Sequence, residues 1–117
     1  MQLPPPRLIQ FQENRIPGLW PGWLGQMSAA WVPGVTITSW YRDKATNAQV
    51  GGLPDSQHLY GWALDLRKDE AGRQMAERAS RSRYLEVLAE SDHYHIEFRQ
   101  DVAAFLKALL VPTEYSF

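Results

Sequence analysis

Apolar and polar residues alternate in two places along the middle of the chain, and this period of two predicts strands. Val35-Thr36-Ile37-Thr38-Ser39-Trp40 is β-branched and alternating. Trp62, Leu64 and Leu66 then alternate with Ala63, Asp65 and Arg67, which puts Asp65 opposite the leucine face of a second strand. Tyr84 to Ala89 suits either helix or strand. Strand is the better reading, because Glu90-Ser91-Asp92 then forms a hairpin turn into Tyr94-His95-Ile96-Glu97-Phe98. On that arm His93, His95 and Glu97 share one face, while Tyr94, Ile96 and Phe98 point into the core.

Helical spacing appears between and after these segments. Asp43 is placed to cap a short helix through Val50, which Gly51-Gly52 ends, and a loop then carries Ser56 and His58. Glu70 to about Ser80 is a polar helix rich in good formers. Val102, Phe105, Leu106 and Leu109 follow i, i+3, i+4, i+7, with Asp101 as the expected cap and Pro112 as the expected stop. At the other end Pro4-Pro5-Pro6 favours an extended arm, and Leu8 to Phe11 fits a short strand or a first helical turn. Pro17-Gly18 and Pro21-Gly22 punctuate a tryptophan-rich loop in which Trp20 and Trp23 close the core edge, with a short helix near Trp23 to Trp31. The sum is an α+β fold, a small antiparallel sheet with helices packed on it. It forms one domain: an N-terminal arm and Trp-rich segment (1–34), a motif-bearing core (35–98) and a C-terminal helix (99–111).

Composition narrows the functional classes. The chain has 117 residues, enough for one modest core, and a net charge of −1, so it lacks the basic footprint of a nucleic-acid binder. Five tryptophans are many for this length, and packing accounts for them more simply than ligand stacking. There is no cysteine, which removes disulfides, thiolate nucleophiles and cysteine-ligated zinc together. Any metal must be held by His, Asp or Glu. The stretch MQLPPPRLIQFQENR does not read as a signal peptide, and no apolar run is long enough to span a bilayer. The expectation is a monomer made in the cytosol without membrane or nucleic-acid partners. It would reach an external substrate only by lysis, through a holin-type route or aboard a virion.

All three histidines fall in two short stretches, Ser56-Gln57-His58 and Asp92-His93-Tyr94-His95. Two neutral imidazoles and a carboxylate are a common ligand set for a catalytic zinc that keeps a fourth position for water. His58, Asp65 and His95 can supply it. Gly61 lets the chain bend back between the first two, and small Ala63 leaves room on their face. Asp92 is then placed to accept a proton from water and pass it to a leaving amine. His93 can steady an oxyanion or orient substrate, and Arg42 can hold an oxyanion or a substrate carboxylate. Glu97 is a candidate to orient a ligand imidazole. Manganese or cobalt could replace zinc in such a set.

The run Ile37-Thr38-Ser39-Trp40-Tyr41-Arg42, then Asn47, Val50-Gly51-Gly52, Ser56-x-His58-x-x-Gly61-x-Ala63-x-Asp65 and Asp92-His93-x-His95 resembles the zinc D-alanyl-D-alanine carboxypeptidase family. That family includes bacterial carboxypeptidases, D-alanyl-D-alanine dipeptidases and phage L-alanyl-D-glutamate endolysins, and it belongs to the wider hedgehog and lysostaphin-type fold group. The resemblance implies one Zn²⁺ on His58, Asp65 and His95, and a carboxylate base at Asp92. It also implies His93 near the substrate and Arg42 stabilising the transition state. Ser56 and Tyr41, within the same runs, are candidates for substrate binding. Dipeptidases and endolysins of the family usually carry glutamate at the position of Asp92 and tryptophan just before the last ligand. Asp92 and Tyr94 are closer to the carboxypeptidase branch.

The leading expectation is therefore a zinc peptidase acting on peptide stems or cross-links of bacterial peptidoglycan, encoded by a phage or prophage or carried in a virion. Glu90 rivals Asp92 as the base. The alternatives are a non-catalytic, zinc-stabilised wall-binding or virion structural module, and a cytosolic peptidase acting on recycled wall fragments.

Overall fold

A computed structural model describes residues 20–115, so the Pro4–Pro6 arm and the Leu8–Phe11 segment lie outside the described residues, as do the side chains of Trp20 and Leu109. The order of elements is α1 (Trp20–Ala30), β1 (Ile37–Ser39), α2 (Lys44–Gln49), a 3₁₀ turn (Gln57–Tyr60), β2 (Ala63–Arg67), α3 (Glu70–Ser80), β3 (Leu85–Ala89), β4 (His93–Phe98) and α4 (Gln100–Tyr115). The strands form one antiparallel sheet in the order β1-β2-β4-β3. The molecule is an α+β fold.

One face of the sheet is apolar. Leu64 and Leu66 of β2 and Ile96 of β4 are sealed against Trp23 and Met27 of α1 and Met75 of α3. Trp23 and Trp62 both meet Phe98 edge-on, with ring centroids 5.2 Å and 5.9 Å apart. The alternation that buries these residues forces Asp65 and His95 to the opposite face.

Three elements differ from the expectation. Helix α1 begins at Trp20 and runs through Pro21-Gly22, because proline in a first helical turn forfeits only an N–H that has no partner there anyway. Strand β1 stops at Ser39, because the Trp40 backbone carbonyl is taken by His58 instead of the ladder. Helix α4 begins at Gln100, so Asp101 lies in its first turn, where a carboxylate suits the helix dipole, and is not its cap. The same helix continues past Pro112 to Tyr115; a proline removes one backbone bond but holds φ near helical values. Its packed stripe is also rotated from the expected one. Val102, Ala103 and Leu106 meet the core, while Phe105 is 64% exposed.

The caps of the site-bearing loops match their residue types. Asp43 Oδ1 accepts the Thr46 N–H at 2.8 Å and starts α2. Ser56 Oγ accepts the His58 N–H at 3.2 Å and starts the 3₁₀ turn. Gly61 ends that turn at φ +73°, a left-handed conformation in which a side chain is strained, and its bend feeds directly into β2. No described helix is long and apolar enough to cross a membrane.

Candidate metal centre

Three elements converge on the polar face of the sheet. Asp65 on β2 stands directly across the ladder from His95 on β4, and the 3₁₀ turn brings His58 over the same spot. One ligand atom from each of the three lies within 4.8 Å of the others. The His58 and His95 rings are 5.2 Å apart at 60°.

The hydrogen bonds define which ring atoms face inward. Nδ1 of His58 lies 2.5 Å from the Trp40 carbonyl, which can only accept, so Nδ1 carries the proton. Nε2 of His58 is buried without a hydrogen-bond partner among the described residues, 3.4 Å from Asp65 Oδ2. In the neutral ring that nitrogen is a bare lone pair facing an anionic oxygen. Leaving such a group unmatched costs about 1–3 kcal/mol, and a cation between the two atoms removes the penalty. The donor set thus fits a zinc ion: two imidazoles and one carboxylate, with both histidines anchored through their other nitrogen. His95 follows the same plan, with Nδ1 2.8 Å from Asp65 Oδ1 and Nε2 2.5 Å from Glu97 Oε1.

The electrostatics agree. Burial alone would raise the Asp65 pKa, but the neighbouring His58 and His95, the latter through its hydrogen bond to Oδ1, outweigh it and hold the carboxyl well below its usual range. Burial alone would lower the His95 pKa, but Asp65 and Glu97 raise it to about 9. Ala63 lies opposite Glu97, two residues along β2 from Asp65, and is fully buried.

Arg42 borders this group. Its guanidinium donates to Asp65 Oδ2 at 3.4 Å, Ser39 Oγ at 3.2 Å and Asn47 Oδ1 at 3.2 Å, while its backbone N–H meets the His58 carbonyl. Buried Asn47 also donates to the Leu53 carbonyl at 2.7 Å, which ties Arg42 to the loop after α2. The cleft above the centre encloses about 380 Å³, and Arg42, Ser56, Glu90 and His93 are among its walls.

The remaining candidates are placed less uniformly. His93 sits on the ligand face with Nε2 3.7 Å from Asp65 Oδ1, and its Nδ1 lies 2.6 Å from Asp92 Oδ1. Asp92 is on the hairpin turn with its side chain 84% exposed, reaching the centre only through His93. Its carboxyl is held below the usual range by the hydrogen bond from His93. Tyr41 packs against the apolar core and does not line the cleft. One residue that sequence reasoning passed over is Gln57, the unassigned middle position of Ser56-x-His58, which is buried and bonded to Glu97 and Phe98. Nothing in a single sequence marks a loop glutamine as buried.

A two-histidine, one-aspartate group at the floor of an open cleft on an α+β sheet fits the ligand set of a mononuclear metallohydrolase. A profile of the family described as Peptidase M15 matches residues 12–97, more than half of the chain, and the chain belongs to that family. Membership implies a metallopeptidase with a peptide substrate. Searches of curated proteins and of solved structures gave no match.

Proposed function

We propose that the protein is a zinc-dependent peptidase that hydrolyses peptide stems or cross-links of bacterial peptidoglycan, in the manner of a D-alanyl-D-alanine carboxypeptidase. The observation that carries the zinc reading is the buried His58 Nε2, without a hydrogen-bond partner among the described residues and aimed at Asp65 beside His95. The carboxypeptidase reading is supported by Asp92 and Tyr94 in the Asp92-His93-Tyr94-His95 motif.

His58, Asp65 and His95 would hold the ion, which when bound supplies Lewis-acid activation of water and of the scissile carbonyl. Arg42, fixed by Ser39 and Asn47, offers a positive charge to the oxygen that becomes anionic as the carbonyl turns tetrahedral. Asp92 and His93 move the proton. Asp92 reaches the centre only through His93, so it orients His93 and balances its charge, and His93 Nε2 takes the proton and returns it to the leaving amine. Ser56 stands in the cleft wall where a peptide would lie.

Glu90 gives a second reading of the base, favoured by its place in the cleft wall, where Asp92 is absent. Digestion of purified peptidoglycan followed by mass spectrometry of the muropeptides tests the function. The expected result is loss of terminal D-alanine, abolished by a chelator and restored by zinc. Cleavage only at L-alanyl-D-glutamate bonds would replace the carboxypeptidase assignment with an endopeptidase one. One zinc per chain with no cleavage of any wall peptide would instead make the domain a zinc-stabilised wall-binding module.

A further inference from the structure

Gln57 is a buried amide to which the reaction assigns no task. It directly precedes His58 in the 3₁₀ turn, yet its side chain is committed to β4. Its Oε1 accepts the Phe98 N–H at 3.0 Å, and its Nε2 donates to the Phe98 carbonyl at 2.7 Å and to Glu97 Oε2 at 3.0 Å. Pairing between β2 and β4 ends with Ala63 opposite Glu97, and the Trp62 N–H turns away to the Gln57 backbone carbonyl at 3.0 Å. The glutamine side chain therefore takes the ladder position that the next residue of β2 would occupy. A backbone in that position would satisfy Phe98 equally well. What the side chain adds is the third bond, to Glu97.

Glu97 is gripped on both oxygens. Oε1 meets His95 Nε2, while Oε2 accepts from Gln57 and from Gln100 Nε2 at 2.7 Å. Carboxylates only accept, so in the metal-free protein His95 donates through Nε2 to Glu97 and through Nδ1 to Asp65, and Nδ1 is the nitrogen that a metal beside Asp65 would take while Glu97 keeps Nε2. Glu97 thus selects the tautomer and the ring plane of one ligand, and Gln57 holds Glu97 from the turn that carries another.

We propose that Gln57 and Glu97 are positioning residues for metal binding, one hydrogen-bonded unit that braces the His95 and His58 segments against each other. This rests on the zinc reading given above. Outer-shell partners of metal-bound histidines typically contribute about 10–100-fold in metal affinity, which sets the size of the expected effect.

The test is zinc affinity by chelator competition on the folded protein, for the wild type, Gln57→Met, Glu97→Ala, Glu97→Gln and the Gln57→Met/Glu97→Ala pair. A wild type that binds no zinc overturns the metal reading itself. With zinc bound to the wild type, Glu97→Ala and Gln57→Met should each weaken binding about 10–100-fold, with Glu97→Gln between Glu97→Ala and wild type. The pair should be no weaker than Glu97→Ala alone, because Gln57 acts through Glu97. Nitrogen-15 spectra of the zinc-loaded protein should show a slowly exchanging His95 Nε2–H that Glu97→Ala loses. If Gln57→Met fails to fold, Glu97→Ala decides the matter, since it leaves the bonds from Gln57 to Phe98 in place. Unchanged zinc affinity and an unchanged Nε2–H signal in Glu97→Ala would overturn the inference. So would a Gln57→Met effect undiminished in the Glu97→Ala background, which would mean that the glutamine only straps β4.

Discussion

Asp65 and His95 are direct cross-strand partners, and Asp65 Oδ1 lies 2.8 Å from His95 Nδ1. The metal-free protein therefore stores an ion pair where the ion would sit. His95, with a pKa raised from 6.5 to about 9, contributes stability that is fully present below about pH 6.5 and is lost as pH rises through about 9. Asp65, whose pKa is depressed, contributes stability present above its ordinary 3.8 and lost as pH falls below that value. The metal-free protein should then be most stable between these limits, and thermal melts across pH should show the alkaline decline. Zinc needs His95 neutral, so each zinc bound below pH 9 displaces a proton. Affinity should tighten about tenfold per pH unit in that range, as read by chelator competition. A pH-independent affinity would contradict the ligand assignment of His95.

His58 is tested through Nε2, which has no hydrogen-bond partner among the described residues. His58→Ala should abolish stoichiometric zinc binding and all peptidase activity, measured by metal content after dialysis and by muropeptide release. The metal-free protein should still fold, with some loss of stability, because the substitution removes the unsatisfied Nε2 but also the buried hydrogen bond to the Trp40 carbonyl.

The two acidic candidates predict different kinetics. Asp92→Asn should keep zinc and lower kcat by about 10²–10⁴-fold, with little change in KM, if the Asp92–His93 pair moves the proton. Glu90→Gln should then stay within about threefold of wild type, an effect typical of a wall residue outside the chemistry. The reverse pattern would transfer the role to Glu90.

Gly52 guards the support of Arg42. A Cβ at position 52 would stand 2.0 Å from Asn47 Oδ1, the atom that receives the Arg42 guanidinium. Gly52→Ala should displace Asn47 and cost about 1–3 kcal/mol of stability in denaturant melts. It should also lower kcat/KM about tenfold or more while leaving zinc content intact, because the clash misplaces the guanidinium and not a ligand. Unchanged kcat/KM would separate Asn47 from the reaction.

What the sequence disclosed followed from strict periodicity. Alternation in β2 and β4 placed Asp65 and His95 on the face away from Leu64 and Ile96, and the single step between them on the ladder follows from antiparallel pairing. Asp43 and the Glu70–Ser80 helix were legible because caps and helix formers act locally. The end of β1 was not, because it depends on a bond from His58, eighteen residues further along, to the Trp40 carbonyl. The burial of Gln57, the turn of Phe105 to the outside and the exposure of Asp92 were equally hidden. Each is settled by which distant element lies alongside, and no local pattern reports that.

The His58 ring is aligned by a main-chain oxygen, and the register shift between Ile37 and Ser39 sets where that oxygen falls just past the end of β1. No exchange of side chain at position 40 can delete the acceptor itself. An inserted or deleted residue in β1 would carry it away. Variation among natural descendants of this chain should accordingly tolerate new residue types in that strand far more readily than changes in its length.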